Sequence, residues 1–275
     1  MPTVTNLLKL FNRRFPHTAK KYVREALPEN GLLMKAAKLL YLPYQWLIGV
    51  PLFVLSTVLF SLIAMILVPW KGPKATANYS AIPWARLGCY MIPLFLKIRG
   101  REHVDPAQSY VIAANHQSHV DILIIYGWIG IDFKWVMKES IRKIPFMGKA
   151  CDAMGHVFID RSNPAAAISS IERAKARIQN GTSILFFPEG TRSRDGHLQD
   201  FKKGAFRTAL DLNLPILPVT INGTKTILQK NSSRIFPGTV EMIFHPPVET
   251  APFTADRMED LMKIVRASIQ SELAS

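Results

Sequence analysis

Cysteine is scarce in this chain of 275 residues. Cys89 and Cys151 are its only two. They form no CxxC pair, which excludes a zinc ribbon, and they cannot staple a small secreted scaffold. No internal repeat or low-complexity stretch is present. A composition of 48% hydrophobic and 20% charged residues excludes a disordered chain and leaves room for one α/β domain with an appendage. Acidic residues are also in short supply, 20 against 34 Lys and Arg, for a formal net charge of +14. That balance points to a polyanionic partner: nucleic acid, an anionic membrane or a phosphorylated substrate.

Another absence narrows the choice. No charged residue occurs from Leu39 to Trp70, between Lys38 and Lys71. A run of that length exceeds the roughly 20 residues a helix needs to cross a bilayer. Trp46 and Trp70 stand toward its two ends, where interfacial aromatics belong. The run begins after a long arm rather than near Met1, so it does not read as a cleaved signal peptide. Residues 1–38 carry Lys9, Arg13, Arg14, Lys20, Lys21, Arg24, Lys35 and Lys38 against Glu25 and Glu29, as expected of a cytoplasmic segment facing anionic lipid. Gly49 and Pro51 divide the run into a leg from Leu39 to Val50 and a longer one from Leu52 to Val68, and Pro51 predicts a kink. One tilted crossing and a helix that dips in and returns both fit. A second apolar patch, Leu87–Leu96, is too short to span and reads as interfacial or as a docked helix.

Past Gly100 short apolar runs alternate with helical patterns, the signature of an α/β domain. Strands are expected at Tyr110–Ala113, Phe133–Met137, Val157–Asp160, Ser183–Phe187, Ile216–Ile221 and Val240–Phe244. The clearest helix runs from Pro164 to Gln179, with Asn163 as N-cap and Gly181 beyond its end. Further helices are expected at Asp121–Trp128, Gly204–Leu212 and Thr254–Leu273.

Three polar clusters follow directly on expected strands, where ligand sites of open α/β sheets lie. The first is Asn115-His116-Gln117-Ser118-His119-Val120-Asp121. A histidine accepts a proton near neutral pH, and a carboxylate fixes its tautomer. His116 and Asp121 would stand about 140° apart on a straight helix, so a bond between them requires a turn. The cluster alone also fits a helix cap, or a metal site of His116, His119 and Asp121 that lacks a fourth ligand. The second is Gly155-His156-Val157-Phe158-Ile159-Asp160-Arg161, which alone reads as a strand ending in a surface ion pair. The third, Phe186-Phe187-Pro188-Glu189-Gly190-Thr191-Arg192-Ser193-Arg194, opens a strand into a turn bearing a carboxylate, a hydroxyl and guanidinium groups suited to phosphate. Lys202, Lys203 and Arg207 follow it; alone it reads as an ordinary polar loop.

Taken in order, N-H-x-S-x-x-D at 115–121, G-x-x-F-I-x-R at 155–161, F-P-E-G-T-R at 187–192 and the strand Leu214–Val219 resemble the four motif blocks of the glycerolipid acyltransferase family, specifically the 1-acylglycerol-3-phosphate O-acyltransferases. The match covers roughly Lys97 to Thr226. The resemblance implies a single α/β acyltransferase domain, a mixed central sheet flanked by helices, preceded by an N-terminal membrane-embedded helical segment. The corresponding divisions are a basic arm at 1–38, a membrane-associated region at 39–98 and a catalytic domain at 99–275. It implies His116 as the general base toward the acceptor hydroxyl and Asp121 as the carboxylate that orients it. Arg161 and Arg192 would bind the acceptor's phosphate, Glu189, Gly190 and Thr191 would shape that pocket, and Lys138 would add a contact. Asn115 and Ser118 would hold the turn, with His119 and His156 as bystanders. The implied reaction moves a fatty acyl group from acyl-CoA or acyl-carrier protein to lysophosphatidic acid, giving phosphatidic acid by direct attack, since no GxSxG elbow is present. No cofactor, metal or nucleic acid is implied. The expected partners are membrane lipids and the two substrates, with the catalytic domain on the cytoplasmic face (the inner membrane, if bacterial). A single crossing by a chain with a cytoplasmic arm would put that domain on the far side, which favours a re-entrant or monotopic segment, or a second crossing by residues 82–98.

Glycerol-3-phosphate, a lyso-ornithine lipid or another lysophospholipid are the alternative acceptors. A non-catalytic lipid-binding protein is expected to have lost His116 or Asp121, and both are present. Nucleic-acid binding leaves the uncharged run unexplained.

Overall fold

A computed structural model describes residues 41–160, 162–193 and 195–274. The basic arm expected at 1–38 lies outside the described residues. The chain divides into two compact units, Met1–Ile48 and Gly49–Ser275. In the first, the described residues are helical, with the Tyr41 and Tyr44 rings 5.3 Å apart.

The second unit opens with helix α1, Val50–Ala77, and helix α2, Ala81–Met91. The helical run Tyr41–Ala77 is long and apolar enough, by length and composition, to cross a membrane. Pro51 stands at the start of α1, directly after a π-helical turn at Gln45–Gly49, an irregularity of the kind a proline's missing donor produces in a continuous helical run. A second break falls at Gly72 (φ 72°, ψ 165°), between Pro69 and Pro73. The facing of α1 is the reverse of a soluble amphipathic helix. Ser56, Ser61, Ala64 and Thr76 are its buried residues, while Leu52, Leu55, Leu59, Leu62 and Ile66, spaced by three and four, are exposed. Small and hydroxyl side chains inward and branched aliphatics outward is the arrangement expected of a helix whose outer solvent is lipid.

A sheet of seven strands follows: β1 Leu94–Arg99, β2 Val111–Ala114, β3 Asp132–Lys138, β4 Val157–Ile159, β5 Thr182–Phe186, β6 Ile216–Asn222 and β7 Gly238–Phe244, in the order β1-β7-β6-β2-β5-β3-β4. Only the β6–β7 pair is antiparallel, so the sheet is mixed. All six expected strands form, with ends shifted by up to two residues. The seventh, β1, corrects the reading of Leu87–Leu96 as one patch. Pro93 cannot continue α2, and Leu94–Arg99 alternates in burial as a strand does.

Helix α3 (Val120–Trp128) follows β2, α4 (Met147–Ala153) follows β3, and α5 (Pro164–Lys175) follows β4. Helices α6 (Gly204–Leu212), α7 (Thr224–Ile227) and α8 (Met258–Ser271) complete the set. Asn163 caps α5 as expected, its Oδ1 accepting from the Ala166 N–H at 3.1 Å. The central strand β2 is buried on both faces, and its residues alternate between two cores. Ile112 and Ala114 join α2 and α3, while Val111 and Ala113 join the side of α5, α6 and α8. Leu261, Val265 and Ile269 are fully buried, one turn of α8 apart. The strands β6, β2, β5, β3 and β4 therefore present their carboxyl ends on one edge, and every polar cluster singled out above leaves the sheet there.

Candidate active site

The chain leaves β2 at Ala114, and its next residue closes onto the neighbouring strand. Asn115 Nδ2 donates to Ile221 O at 2.9 Å and its Oδ1 accepts from Ile221 N–H at 2.7 Å, continuing the β2–β6 ladder with a side chain. The loop then turns into α3, which brings His116 and Asp121 together: Nδ1 and Oδ2 are 2.8 Å apart. Asp121 is fully buried, and its Oδ2 also accepts from the backbone N–H groups of Gln117 and Ser118, each at 2.8 Å. Its Oδ1 accepts from the Thr224 hydroxyl at 2.5 Å. Surrounded by donors, the carboxylate holds a proton on His116 Nδ1, which leaves Nε2 with its lone pair free to act as a base. The His116 ring is 13% exposed and stacks on Phe187, 3.8 Å between centroids and 8° from parallel. Ser118 Oγ donates to Leu228 O at 2.8 Å, so Asn115 and Ser118 both serve the turn.

Thr224 carries no signal in a linear reading. It follows the left-handed Gly223 (φ 88°), where a side chain would run into Thr239 O, and that corner starts α7 beneath Asp121. Phe187 lay inside a recognised motif, but its stacking on the base was equally unreadable.

Glu189 lies beneath the site. It is 3% exposed, with Oε1 accepting from the His116 N–H at 2.7 Å and Oε2 from the Gln199 N–H at 3.0 Å. Burial pushes its carboxyl up to about 7, against the pull of those two N–H groups. Gly190 closes the turn by donating its N–H to Phe187 O at 2.9 Å, and Ser193 N–H donates to His116 O at 2.8 Å. The loop after β5 and the loop after β2 are thus bonded to each other on both sides of the histidine. Thr191 is exposed and Arg192 half-buried. Lys230 Nζ donates to Arg192 O at 2.6 Å and to Thr191 Oγ1 at 3.2 Å, a cation the sequence reading did not single out. A cleft of about 600 Å³ opens here, lined by Thr191, Asp195, His197, Leu198, Gln199 and Lys230.

Lys138 is exposed at the end of β3, paired in register with Ile159 of β4. Arg161, two residues beyond Ile159, lies outside the described residues, as does Arg194. His119 precedes α3, and its ring is held below the ordinary histidine value by partial desolvation and then by the charge of Arg192. His156 is buried away from this group. Its Nε2 is 2.5 Å from the Tyr126 hydroxyl, its Nδ1 accepts from the Trp135 N–H at 3.2 Å, and burial pushes it down to about 3. Among the described residues no group of three or more His, Cys, Asp or Glu is placed to hold a metal ion.

The Acyltransferase family model matches residues 95–222, which take in β1 to β6 and the loops carrying His116, Asp121, Glu189 and Arg192. The 1-acyl-sn-glycerol-3-phosphate acyltransferase of Limnanthes douglasii is 34% identical over 215 residues, 77% of this chain and 75% of that one. That of Cocos nucifera is 32% identical over 77% of this chain and 69% of its own, and the alpha enzyme of Mus musculus 32% identical over 66% and 64%. Among solved structures, the 1-acyl-sn-glycerophosphate (LPA) acyltransferase PlsC of Thermotoga maritima superposes with a TM-score of 0.65 at 27% identity, covering 82% of this chain and 96% of that one. With a mixed α/β sheet, a histidine–aspartate pair at its carboxyl edge and these relatives, the chain belongs to the 1-acyl-sn-glycerol-3-phosphate acyltransferase family.

Proposed function

We propose that this protein transfers a fatty acyl group from a thioester donor to the free hydroxyl of 1-acylglycerol-3-phosphate, giving phosphatidic acid. The observation that carries the reading is the His116–Asp121 pair, with its carboxylate saturated by donors and its imidazole partly exposed. His116 Nε2 takes the proton of the acceptor hydroxyl as its oxygen attacks the thioester carbonyl. The tetrahedral oxyanion then expels the thiolate, which recovers the proton from the imidazolium. Positioning supplies much of the remaining acceleration, and Arg192 with Lys138 and Arg161 would hold the acceptor's phosphate. Glu189 supports this by fixing the backbone of the base. Either acyl-CoA or acyl-carrier protein supplies the thioester. The outward aliphatic stripe of α1 holds the site against the bilayer in which the acceptor resides, with the catalytic domain on the cytoplasmic side.

The test is acyl transfer by membranes containing the protein, with oleoyl-CoA and lysophosphatidic acid, and separately with glycerol-3-phosphate and a lysophospholipid panel. Phosphatidic acid made by the wild type, and lost at least about 10²-fold in His116→Ala, is the expected result. An active His116→Ala variant would overturn the assignment of the base. Product only from another acceptor would overturn the substrate.

A further inference from the structure

The loop between β3 and α4 exposes five consecutive residues, Arg142-Lys143-Ile144-Pro145-Phe146. Ile144 and Phe146 are each 44% exposed, although both are large and apolar. Single exposed apolar residues need no explanation, but this pair is held out by a built structure. Phe146 has φ 60° and ψ −55°, a backbone conformation that a bulky L residue rarely adopts. The bonds around it are made: Ile144 N–H to Ile141 O at 3.0 Å, Gly148 N–H to Ile144 O at 2.9 Å and Ala150 N–H to Phe146 O at 2.9 Å. Gly148 lies so close to the Arg142 carbonyl that a Cβ there would stand 2.1 Å from its oxygen. Arg142 is itself pinned, to Glu139 and Asp152 at 2.8 Å each and over the Phe158 ring at 4.2 Å. A rigid loop in an unfavourable backbone conformation that presents its apolar side chains outward is a feature with a use.

What lies next to it identifies that use. Helix α4, which the loop enters, packs through Ala150 and Met154 on Ala64, Met65 and Val68 of α1. Those α1 residues lie within two turns of Trp70, which is 86% exposed, and of Lys71, the first charge after the apolar run. The loop therefore stands beside the end of the apolar helix, at the level where hydrocarbon gives way to headgroups. Lys143 and Lys149, both exposed, flank the apolar pair and match an anionic lipid surface.

We propose that Ile144 and Phe146 insert into the bilayer beside α1, as a second membrane contact of the catalytic domain, with Lys143 and Lys149 against anionic headgroups. The proposal rests on the membrane seat of α1 and not on the identity of the acceptor. It is tested on the full chain, in a Cys89→Ala, Cys151→Ala background carrying Phe146→Cys labelled with an environment-sensitive fluorophore. The protein is reconstituted in vesicles of phosphatidylcholine with about one-third phosphatidylglycerol. Lys263→Cys, at an exposed position of α8, is the control. The expected result is a blue-shifted label at 146, quenched several-fold more by a spin label on the lipid acyl chain than by aqueous iodide, with the reverse order at 263. Equal iodide quenching at the two positions overturns the proposal. So does a response at 146 only when acyl-carrier protein is added, which would make the loop a protein-docking surface. In Lys143→Gln with Lys149→Gln, omitting phosphatidylglycerol is expected to weaken the lipid quenching less than it does in the wild type, and an unchanged lipid-charge dependence removes the cationic part. None of these readouts needs turnover, so a failure of the acyl-transfer reading and a failure of this one are separable.

Discussion

Thr224 Oγ1 donates to Asp121 Oδ1 at 2.5 Å, between residues 103 apart in the chain and both fully buried. The carboxylate that orients His116 is therefore held from both sides: by the turn amides of its own loop on Oδ2 and by α7 on Oδ1. Removing the hydroxyl leaves a buried oxygen unsatisfied, at about 1–3 kcal/mol. Thr224→Val is expected to lower kcat about tenfold with little change in the acceptor KM, and Thr224→Ser to restore most of it. A Val variant with wild-type kcat would make the bond merely structural.

Asp121→Asn presents an amide where two backbone N–H groups and the ring Nδ1–H all donate. The amide oxygen takes the Oδ2 place and satisfies those donors, and the NH2 group turns to the Thr224 hydroxyl, so the ring keeps its Nδ1 proton but loses the negative charge that stabilises the imidazolium. A loss on the order of 10²–10⁴ in kcat is expected, the range of general-base contributions. Steady-state kinetics beside a thermal unfolding curve separates this from misfolding.

Arg192 stands near His119 and within the loop bonded to His116. In the role proposed for it, its truncation would remove a charge-assisted hydrogen bond to phosphate, about 1.5–3 kcal/mol. Arg192→Ala is expected to raise the KM for lysophosphatidic acid roughly 10- to 100-fold and to leave the donor KM in place. An unchanged acceptor KM would remove Arg192 from the phosphate site.

His156 gives a pH signature of its own. Burial holds it at about 3, against 6.5 when free, so between those values the unfolded chain binds the extra proton and stability rises with pH. Relative to neutral pH, the wild type is expected to lose about 2 kcal/mol from this group by pH 5, at ~1.4 kcal/mol per unit. His156→Gln should show a flatter acid limb in chemical denaturation. An identical slope in both proteins would place the acid sensitivity elsewhere.

Much of this was legible in the linear chain because it is local. Six strands announced themselves as apolar runs, and His116 with Asp121 fell at a strand–turn–helix junction that could bring them together. Strand β1 was hidden because Leu94–Leu96 continues the hydrophobicity of α2, and only Pro93 marks the change of structure. Thr224, Lys230 and the buried role of Glu189 were hidden for another reason. Each acts through a partner on a different loop, and spacing along the chain does not register which loops the sheet will set side by side. Pro51 did signal an irregularity, the π-helical turn at Gln45–Gly49 just before it, while the break at Gly72 was not signalled in this way.

The pairing of β1 with β7 also orders events during synthesis. Leu94 finds its partner Gly238 only after 144 further residues have been made. Helices α1 and α2 leave the ribosome well before that, so the apolar segment reaches the membrane while the strand that follows it is still waiting for its neighbour. Closing the sheet is then a late event carried out by a chain already tethered at the bilayer, and the slow, long-range pairing takes place where a premature edge is held away from other copies in solution.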